Sequence, residues 1–498
     1  MRILLINPPF NRLKGIKSVY FPLGLGYLAA ILRKNKFEVA IYNAENPIEK
    51  LLEAFNLKLL EQHHKYIEAL NDKSHYIWQE IKDTLLMFKP DIVGISVMTC
   101  KYGSASKVSI LCKEFNPIMK VIWGGAHPTI QANAVLENDF VDFVIRGEGE
   151  LAMVELCCAL VKGDNTFNKI KNLSYKKDGD IVHMPLRDLI SNIDELLPPA
   201  KDLSLYPNIY SSSNMGEIIT LRGCPFECAF CGAQNIWGRK VRFMSLGKII
   251  KEITDICKNY NTKEFWFWDD TFTLNRRRTL ELCQKLIDER LNISWGCTTR
   301  VDMVDDDLLK RMKMAGCNLI EFGIETGSER MLKLIKKNIS LEQIMEAVKL
   351  VRKHKIDLKT FFMIGFPEET KEDIEQTKHL IKKLNARGVV LSVFTPYPGT
   401  ELYHRTEELG LLPKNPDWSQ FSHQSPENHF MKYISKKEFQ QIVIDITDFI
   451  DRYNFSILNA YRYFRTHFSS FVENPCAFLI KGISYLNRWL RIRKRKRY

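Results

Sequence analysis

No apolar run in this 498-residue sequence approaches the roughly 20 residues that a membrane-spanning helix needs. The first apolar stretch, residues 1–6, stops at Asn7-Pro8-Pro9 and is too short for the core of a signal peptide. Charged residues make up 26% of the chain, which argues against a membrane-embedded protein, and the 45% hydrophobic share excludes disorder. These features predict a cytoplasmic protein, too long to fold around a single hydrophobic core.

The sequence also lacks the pattern of a disulfide framework. Most of its 12 cysteines are scattered singly in apolar surroundings, as Cys112 and Cys283 are, and a cytosolic chain keeps such thiols reduced. One group is dense enough to be a set of metal ligands, because Cys224, Cys228 and Cys231 lie on one short segment.

Residues 1–165 alternate short apolar runs with helical patterns. Runs rich in Ile and Val are typical of strands buried on both faces. Alternating strands and helices predict a doubly wound parallel sheet with right-handed crossovers. The polar stretch 47–89 is too long for one crossover and predicts a helical hairpin. The predicted strands cover residues 2–8, 37–43, 91–98, 120–123 and 140–145.

A second alternation begins at Glu217 and predicts an incomplete barrel of six strands, since the closed barrel of this type has eight. These strands are predicted at residues 217–221, 264–268, 294–298, 319–323, 359–364 and 389–394. The predicted domains are an α/β domain at 1–165, a hairpin and linker at 166–210, the partial barrel at 211–410 and a helical region with a basic tail at 411–498.

The three-cysteine group follows the first predicted barrel strand, on the face where barrel enzymes place their active sites. A structural zinc site needs four ligands, and an ordinary four-iron cluster needs four cysteines. No fourth cysteine or histidine lies nearby in the sequence. Three ligands on a four-iron cluster leave one iron open to a small molecule. The alternative is a remote fourth ligand, Cys297 or Cys317.

The spacing of Cys224, Cys228 and Cys231 resembles the signature of the radical S-adenosylmethionine superfamily. This resemblance implies that the three thiolates hold a 4Fe-4S cluster whose free iron binds the amino and carboxylate groups of S-adenosylmethionine. One-electron reduction then cleaves the sulfonium to a 5′-deoxyadenosyl radical, which abstracts hydrogen from a substrate. An external one-electron donor, such as flavodoxin or ferredoxin, is implied as well.

The same resemblance implies that later strand ends bind S-adenosylmethionine. The second strand is expected to contact its amino group through one of two adjacent aspartates, the fourth its ribose, and the backbone after the fifth its adenine. The alternative is that these acids cap helices and these glycines only turn the chain. The residues predicted to bind S-adenosylmethionine are Asp269, Asp270, Arg300, Glu325, Ile364 and Gly365.

The N-terminal half carries a second resemblance. Motifs at residues 6–9, 22–29 and 124–129 resemble the cobalamin-binding domain that is fused to a large class of these enzymes. In open α/β sheets, ligands bind at the carboxyl ends of the strands. The predicted cobalamin contacts are Asn7, Pro8, Ser96, Thr99, Gly124, Gly125, His127, Gly147 and Glu148.

The sequence departs from many cobalamin proteins in one respect, since it has no Asp-x-His-x-x-Gly motif to supply a histidine below the cobalt. His127 is the tempting substitute, but it is expected at the start of a helix. We therefore expect cobalamin to bind in the base-off form without a protein histidine. The alternative is a domain that has lost cobalamin and serves as a scaffold.

Together the two cofactors predict methyl transfer to an unactivated carbon of a biosynthetic small molecule. The enzymatic alternative is a radical ring formation or rearrangement without methylation. Methylthiolation of transfer RNA is disfavoured, because Cys100, Cys112, Cys157 and Cys158 lack the spacing of a second cluster, and nucleic acid is not an expected partner. A non-enzymatic alternative is an iron–sulfur module that binds a membrane or nucleic acid.

The formal charge of +13 owes much to the basic tail at residues 488–497. We interpret this tail as a solvated terminus. Peripheral contact with an anionic membrane is the alternative.

Overall fold

The computed structural model describes residues 1–16, 18–46, 59–163, 167–386, 388–422 and 425–454. Its N-terminal sheet has seven strands: β1 (Arg2–Asn7), β2 (Glu38–Asn43), β3 (Ile92–Ser96), β4 (Lys120–Gly124), β5 (Phe143–Ile145), β6 (Leu173–Lys177) and β7 (Asp180–His183). They lie in the order β2-β1-β3-β4-β5-β6-β7. The first five strands are parallel, so the predicted doubly wound sheet is confirmed.

Helices cover both faces of this sheet because its strands are apolar on both sides. Leu4 and Ile6 of β1 pack into one core, while Ile3 and Leu5 pack into the other. The helices are α1 (Leu23–Lys34), α2 (Leu59–Asn71), α3 (Tyr76–Phe88), α4 (Tyr102–Phe115), α5 (Ala126–Ile130), α6 (Ala132–Leu136) and α7 (Glu150–Lys162). The helices α2 and α3 form the predicted helical hairpin, of which residues 47–58 lie outside the described residues.

The strands β6 and β7 form an antiparallel hairpin that pairs with β5. This hairpin lies within residues 166–210, so the first sheet continues past the predicted domain boundary at residue 165. The turn is made by Asp178 and Gly179, both with positive φ. The connection that follows packs against α1, where the N–H of Ala200 donates to the carbonyl oxygen of Gly26 at 3.0 Å.

The second sheet is a partial barrel of six parallel strands: β8 (Glu217–Ile218), β11 (Glu264–Phe267), β12 (Ser294–Thr299), β13 (Cys317–Glu325), β14 (Asp357–Ile364) and β15 (Gly388–Val393). They lie in sequence order from β8 to β15. A two-stranded hairpin, β9 (Leu221–Arg222) with β10 (Arg242–Phe243), follows β8. All six barrel strands predicted from the sequence are present.

The barrel helices are α8 (Ala233–Trp237), α9 (Leu246–Tyr260), α10 (Arg276–Asp288), α11 (Asp306–Met314), α12 (Glu329–Leu334), α13 (Leu341–Lys353), α14 (Lys371–Leu384) and α15 (Glu401–Glu408). Capping supports several of them, and Ser340 with Gln343 forms the capping box predicted from their spacing. The barrel core lies between the strands and these helices.

Beyond α15, the described part of the C-terminal region ends with the helix α16 (Lys436–Asn454). Trp418, Phe421 and Phe430 form a small aromatic cluster on the segment before this helix. The basic tail lies outside the described residues. Within the described ranges, no helix is both long and apolar enough to cross a membrane.

Candidate active site

The three cysteines lie on the loop between β9 and α8, at the carboxyl end of the barrel strands. Gly223, just before the first cysteine, has a φ of +104°, and a Cβ there would lie 2.5 Å from the carbonyl oxygen of Lys240. The N–H of Ala229 donates to the carbonyl of Ile335, and its own carbonyl accepts from the N–H of Leu402, both at 2.9 Å. Hydrogen bonds to two other parts of the barrel therefore fix the middle of the loop.

The thiols of Cys224, Cys228 and Cys231 are half-buried, and none forms a disulfide. Burial raises the pKa of Cys224, and it raises the pKa of Cys231 to about 11; neighbouring negative charge, including that of the other thiols, adds to both shifts. Such thiols become thiolates when a metal supplies positive charge. In the part of the chain that the structure describes, no three His, Cys, Asp or Glu side chains converge on one metal ion. A four-iron cluster does not need thiols that converge on one ion, since each cysteine binds a different iron, so the half-buried thiols of this loop are compatible with a cluster.

Cys297 and Cys317, the alternative fourth ligands, lie in β12 and β13. Both are fully buried in the core between the barrel strands and the helices. The two thiols are close enough to hydrogen-bond to each other, and burial raises the pKa of Cys297. Neither is placed to complete the ligand set of the cysteine loop.

Asp269, the first of the two aspartates after β11, is 2% exposed. Its carboxylate accepts the N–H of Thr220 at 2.6 Å and that of Leu221 at 3.1 Å. Burial raises its pKa to about 6, against the effect of these hydrogen bonds. Asp269 therefore joins the end of the first barrel strand to the second, which is a structural role.

Asp270, the second aspartate, is exposed in the cleft beside the cysteine loop. Its charge contributes to the raised pKa values of Cys224 and Cys231, so it lies near both thiols. Its carboxylate has no hydrogen-bond partner among the described residues. Of the two predicted aspartates, Asp270 is the one available to a ligand at the loop.

Glu325 ends β13 with a φ of +71°, beside an irregularity in the pairing with β14. Its Oε1 accepts a hydrogen bond from the Nζ of Lys337 at 2.9 Å, and both side chains are about nine-tenths buried. Burial lowers the pKa of Lys337, whereas Glu325 and Cys228 raise it, and the net shift is upward. No local sequence pattern pointed to Lys337, because it is separated from Glu325 by the helix α12.

Arg300 packs against the cysteine loop through the ring of Phe226. The centre of its guanidinium lies 3.8 Å from the ring centroid of Phe226, which stands between the first two cysteines. The same guanidinium donates to the carboxylate of Asp302 and to the carbonyl of Lys337, each at 2.9 Å. Because these partners engage the Nε and Nη2 donors and the guanidinium packs on Phe226, the structure indicates that Arg300 positions the loop.

The backbone after β14 is held by Glu369, a residue that the sequence did not single out. The Oε2 atom of Glu369 accepts the N–H groups of Gly365 at 2.6 Å and Phe366 at 3.3 Å. Burial raises the pKa of Glu369 to about 8. The Ile364 side chain is buried in the core, and Gly365 has a φ of +94°. The turn therefore offers its backbone, not side chains, to a ligand.

Two tryptophans of β11 and its end line the inside of the barrel. Phe265 and Phe267 face the helices, so Trp266 and Trp268 face the opposite side. Trp266 lies over Gly296, where a Cβ would stand 2.2 Å from its ring. Trp268 is 51% exposed and packs edge-on against Trp266 at 5.9 Å between centroids. The barrel interior thus presents an apolar aromatic wall.

At the carboxyl edge of the N-terminal sheet, Asn7 belongs to a buried polar network. Its Oδ1 accepts from the Nζ of Lys101 at 2.7 Å, and its Nδ2 donates to Asn43 at 2.7 Å and to the hydroxyl of Tyr20 at 3.1 Å. Lys101 also forms an ion pair with the fully buried Glu45 at 3.2 Å. This network stabilises the strand ends, and the side chain of Asn7 is fully used within it.

Gly124 and Gly125 follow β4 and let two backbones approach each other. The carbonyl of Gly124 accepts the N–H of Val97 at 2.8 Å. Gly125 has a φ of +103°, and a Cβ there would lie 2.9 Å from the carbonyl oxygen of Val97 and 3.5 Å from the Oγ of Ser96. Pro8, at the end of β1, is buried. The glycines therefore close the turn tightly and place no side chain of their own above it.

His127 lies at the start of α5, as expected, and is 1% exposed. Its Nδ1 is 3.1 Å from the Oγ1 of Thr99, and its ring packs edge-on between Tyr102 and Trp418 at 5.1 and 5.3 Å. Burial lowers its pKa to about 3, so the ring is neutral. This packing keeps His127 inside the domain. It also indicates that His127 helps to hold the C-terminal segment around Trp418 against the domain.

Glu148 joins the two domains. Its Oε1 accepts from Arg222 at 2.9 Å and from Arg242 at 2.7 Å, and Arg222 also binds Glu150 at 2.7 Å. All four side chains are buried. The Glu148 side chain, a predicted cobalamin contact, is thus engaged in ion pairs to the barrel. A Cβ on Gly147 beside it would meet no atom within 4 Å.

The carboxyl edges of the two sheets face each other. Arg222 directly precedes the cysteine loop, and its partner Glu148 follows β5. On the other side, a Cβ on Gly399 would lie 3.1 Å from Ile130, which follows β4. Asn235 of α8 donates to the carbonyl of Gly399 at 2.8 Å. A ligand bound on the N-terminal edge therefore lies opposite the cysteine loop.

This edge fits a large flat ligand such as cobalamin. The parallel strand order reverses between β1 and β3, which is where such sheets bind their ligands. On the β3 side of this point, β4 is followed by the tight turn at Gly125, and β5 is followed by Gly147, where a Cβ would meet no atom within 4 Å. With His127 buried and neutral, the donors present fit cobalamin without a histidine ligand.

Comparison with known proteins agrees with both halves of this site. Residues 218–381 match the Radical SAM superfamily, and residues 60–157 match the B12 binding domain. An uncharacterized methyltransferase of Pyrococcus horikoshii is 36% identical over 410 residues, which are 81% of this chain and 82% of that protein. An anaerobic magnesium-protoporphyrin IX monomethyl ester cyclase of Rubrivivax gelatinosus is 28% identical over 420 residues, 82% of this chain and 70% of that protein.

Among solved structures, the cobalamin-dependent S-adenosylmethionine radical enzyme OxsB, with aqua-cobalamin and S-adenosylmethionine bound, superposes with a TM-score of 0.68. The match covers 99% of this chain and 75% of that chain at 17% identity, so it shows a shared fold. The two matched regions and the identity to the Pyrococcus protein show the family and its cofactors, a 4Fe-4S cluster, S-adenosylmethionine and cobalamin. The chain therefore belongs to the cobalamin-dependent radical S-adenosylmethionine methyltransferases.

Proposed function

We propose that the enzyme methylates an unactivated carbon of a small-molecule biosynthetic substrate held between its two domains. The cluster with S-adenosylmethionine supplies the substrate radical, and cobalamin supplies the methyl group. The main support for this proposal is that the carboxyl edges of the two sheets face each other and are held together by the ion pair of Arg222 with Glu148. A substrate between these edges is within reach of both cofactors and is shielded from water.

The residues around the cysteine loop support specific roles. We assign the three thiols of Cys224, Cys228 and Cys231 to the cluster. The unpartnered carboxylate of Asp270 is placed to accept a hydrogen bond from the amino group of S-adenosylmethionine. Lys337 lies near Cys228 and supplies positive charge for the carboxylate of the same molecule.

Two further contacts concern the adenosine part of S-adenosylmethionine. Glu325 keeps one carboxylate oxygen, Oε2, beyond its bond to Lys337, and we assign this oxygen to the ribose hydroxyls. Glu369 fixes the turn at Gly365, whose backbone is placed to meet adenine. Asp269 and Arg300 position these groups without touching the ligand.

For cobalamin, we assign contacts to the backbone at the strand ends. Ser96, Gly124, Gly125 and Gly147 border the open edge, whereas Asn7, Thr99, His127 and Glu148 stabilise it from within. Pro8 directly follows the first strand at the same edge.

An acidic one-electron donor, such as a flavodoxin or ferredoxin, is proposed to meet the outer face of the cysteine loop. Pro225 and Glu227 of the loop are exposed there. Four exposed basic residues surround them. Among the described residues, two carboxylates offset their charge: Arg239 pairs with Glu227, and Lys336 pairs with Glu401. Lys240 and Lys333 have no carboxylate partner among the described residues. We call Lys240, Lys333, Lys336 and Arg239 the basic rim.

A cytoplasmic location is proposed because a reducing compartment suits a reduced cluster and free thiols. Contact of the basic tail with an anionic membrane stays a prediction, as does the division of the chain at residues 165, 210 and 410.

The test is anaerobic reconstitution with iron, sulfide and cobalamin, followed by S-adenosylmethionine with a ¹³C-labelled methyl group. With a low-potential reductant such as titanium(III) citrate present to bring the cobalt to cob(I)alamin, we expect iron and cobalamin in one optical spectrum. We also expect ¹³C-methyl on the bound cobalamin, together with S-adenosylhomocysteine, before any substrate is added. Reduction should then also release 5′-deoxyadenosine. Bound cobalamin that never acquires the label would contradict methyl transfer.

The matched variants are Cys228→Ala and Cys283→Ala. Cys228→Ala should lose the cluster and 5′-deoxyadenosine formation while keeping cobalamin. Cys283 is fully buried in the barrel core, so its replacement should lower stability but keep both cofactors.

The second candidate is a radical ring formation without methylation, because the relative from Rubrivivax gelatinosus is a cyclase. It predicts 5′-deoxyadenosine without transfer of the label to cobalamin or product. The same reconstitution therefore separates the two reactions.

A further inference from the structure

Met98 is an exposed apolar side chain at the centre of the N-terminal sheet edge. It follows β3 by two residues and is 49% exposed, whereas Val97 is fully buried and Thr99 is 6% exposed. Other exposed methionines, such as Met87 and Met314, lie on the outer helices α3 and α11. Met98 therefore projects out of an otherwise packed sheet edge. An exposed methionine is ordinary on an outer helix, but at a packed edge its exposure calls for an explanation.

The position of Met98 is the point at which this fold binds its ligands. The strands β1 and β3 are neighbours from which the chain departs in opposite directions, and a crevice opens at their carboxyl ends. On the β1 side, the side chain of Asn7 is already hydrogen-bonded to Lys101 and Asn43. On the β3 side, Met98 is the group that the crevice presents to a ligand.

The backbone around Met98 is held firmly. The N–H of Val97 donates to Gly124 at 2.8 Å, and the carbonyl of Met98 accepts from the N–H of Lys101 at 2.8 Å. The backbone N–H of His127 donates to the carbonyl of Val97 at 3.1 Å. Its imidazole is nevertheless unavailable to a ligand, because the ring is packed between Tyr102 and Trp418. A ligand at this crevice thus meets a thioether from below and no histidine.

We propose that Met98 is a positioning residue that lies against the lower face of the corrin ring, in the place where a histidine ligand would otherwise stand. The inference rests on the proposed use of cobalamin. A thioether carries no titratable proton and is a weak acceptor, so Met98 fills the space below the cobalt without binding it strongly. It also keeps water from that face. With cobalamin bound, Met98 would therefore offer the cobalt no titratable ligand at any pH at which the protein is folded.

The test is electron paramagnetic resonance of cob(II)alamin bound to the anaerobically reconstituted full chain. The wild type should show a base-off spectrum without nitrogen hyperfine splitting on the cobalt lines. Met98→His should add the splitting from one coordinated nitrogen, because it places an imidazole below the cobalt. Met98→Leu should keep the wild-type spectrum. Met314→His, with an imidazole on an exposed outer helix, is the matched control and should also leave the spectrum unchanged.

Met98→Ala gives a second measurement that does not depend on the new histidine. Removing the thioether should open the lower face to water, which shifts the optical spectrum of bound cobalamin and weakens its retention during gel filtration. Loss of cobalamin from both Met98→His and Met98→Ala, with the cluster retained, supports contact with the corrin as well.

Unchanged spectra and unchanged retention in both variants would overturn the assignment of Met98. A wild-type spectrum with nitrogen splitting would overturn it too. A wild type that retains the cluster but binds no cobalamin contradicts the proposed function instead, so the two failures are distinguishable.

Discussion

The Oε1 atom of Glu148, in the cobalamin-binding domain, lies 2.9 Å from the Nη1 atom of Arg222, which stands two residues before the first cluster cysteine. Each side chain is only 5% exposed. This contact ties the position of the cysteine loop to the edge that faces it. Its geometry therefore sets the distance across which a substrate must meet both cofactors.

Replacing Glu148 by Ala should destabilise the protein and loosen the cysteine loop. Removing one partner of a buried ion pair leaves the other charge uncompensated, at a cost of about 3–5 kcal/mol. Arg242 loses its carboxylate partner, while Arg222 keeps Glu150. Urea unfolding should show the loss, and iron retention after gel filtration should fall.

The control is Glu155→Ala, which breaks an ion pair with Arg187 at 2.7 Å on the same domain. Both side chains of this pair are partly exposed, so the cost should stay within about 1 kcal/mol and iron retention should not change. Equal effects of the two variants would contradict the role of Glu148.

Replacing Lys337 by Met should lower both stability and affinity for S-adenosylmethionine. The variant leaves Glu325 buried without its partner, which again costs about 3–5 kcal/mol. The double variant with Glu325→Gln removes both charges and should recover most of the stability. It should not recover binding, since the positive charge near Cys228 is still absent.

Urea unfolding and equilibrium dialysis of the reconstituted variants separate these two effects. Lys337→Arg keeps the charge and should bind S-adenosylmethionine more tightly than Lys337→Met. Full binding by the double variant would show that Lys337 serves stability alone.

Much of the architecture could be predicted from the sequence because it depends on local patterns. The six barrel strands and the parallel N-terminal sheet follow from short apolar runs separated by helices. The cysteine spacing is equally local, and so is the absence of a histidine motif. A hairpin was also predicted within residues 166–210, but its pairing with β5 was not, because its exposed edge has few apolar residues to indicate that it extends the first sheet.

The partners of the site residues were harder to predict because they lie far apart in the sequence. Nothing around Glu148 indicates that it would bind Arg222, which lies 74 residues further along the chain. Likewise, Asp269 and Asp270 are adjacent and alike, and only the tertiary contacts of Asp269 with Thr220 distinguish them. Burial therefore distinguishes an acid that stabilises the fold, such as Asp269, from one that is available to a ligand, such as Asp270.

Glu369 should make the protein less stable as the pH rises through the neutral range. Burial raises its pKa to about 8 in the folded protein, whereas an unfolded glutamate has a pKa of about 4.3. The folded state therefore binds the proton more tightly, and this stabilisation is complete below the unfolded pKa and lost as the pH rises towards 8. One such group contributes a slope of up to about 1.4 kcal/mol per pH unit between these values.

Glu369→Gln keeps an oxygen to accept the N–H groups of Gly365 and Phe366 but cannot ionise. The difference in unfolding free energy between this variant and the wild type should grow between about pH 4.3 and pH 8 and be constant outside that window. Urea titrations of both chains across this range measure it. A difference that does not vary with pH would show that Glu369 ionises normally.

Reversing charges on the basic rim should slow electron delivery by a protein donor but not by a small reductant. Electrostatic steering raises association rates about tenfold or more, and it weakens as salt screens the charges. The double variant Lys240→Glu and Lys333→Glu removes the two rim lysines without a carboxylate partner, so the rate of cluster reduction by a flavodoxin hydroquinone should fall about tenfold at low salt. Reduction by dithionite, followed by the same stopped-flow absorbance, should be unchanged, because dithionite needs no docking surface.

Lys349→Glu changes a lysine that is 76% exposed on α13, away from the cysteine loop, and should behave as the wild type with both reductants. Equal slowing of both reductants in the double variant would instead indicate damage to the cluster, and no slowing of the flavodoxin reaction would place the donor on another face.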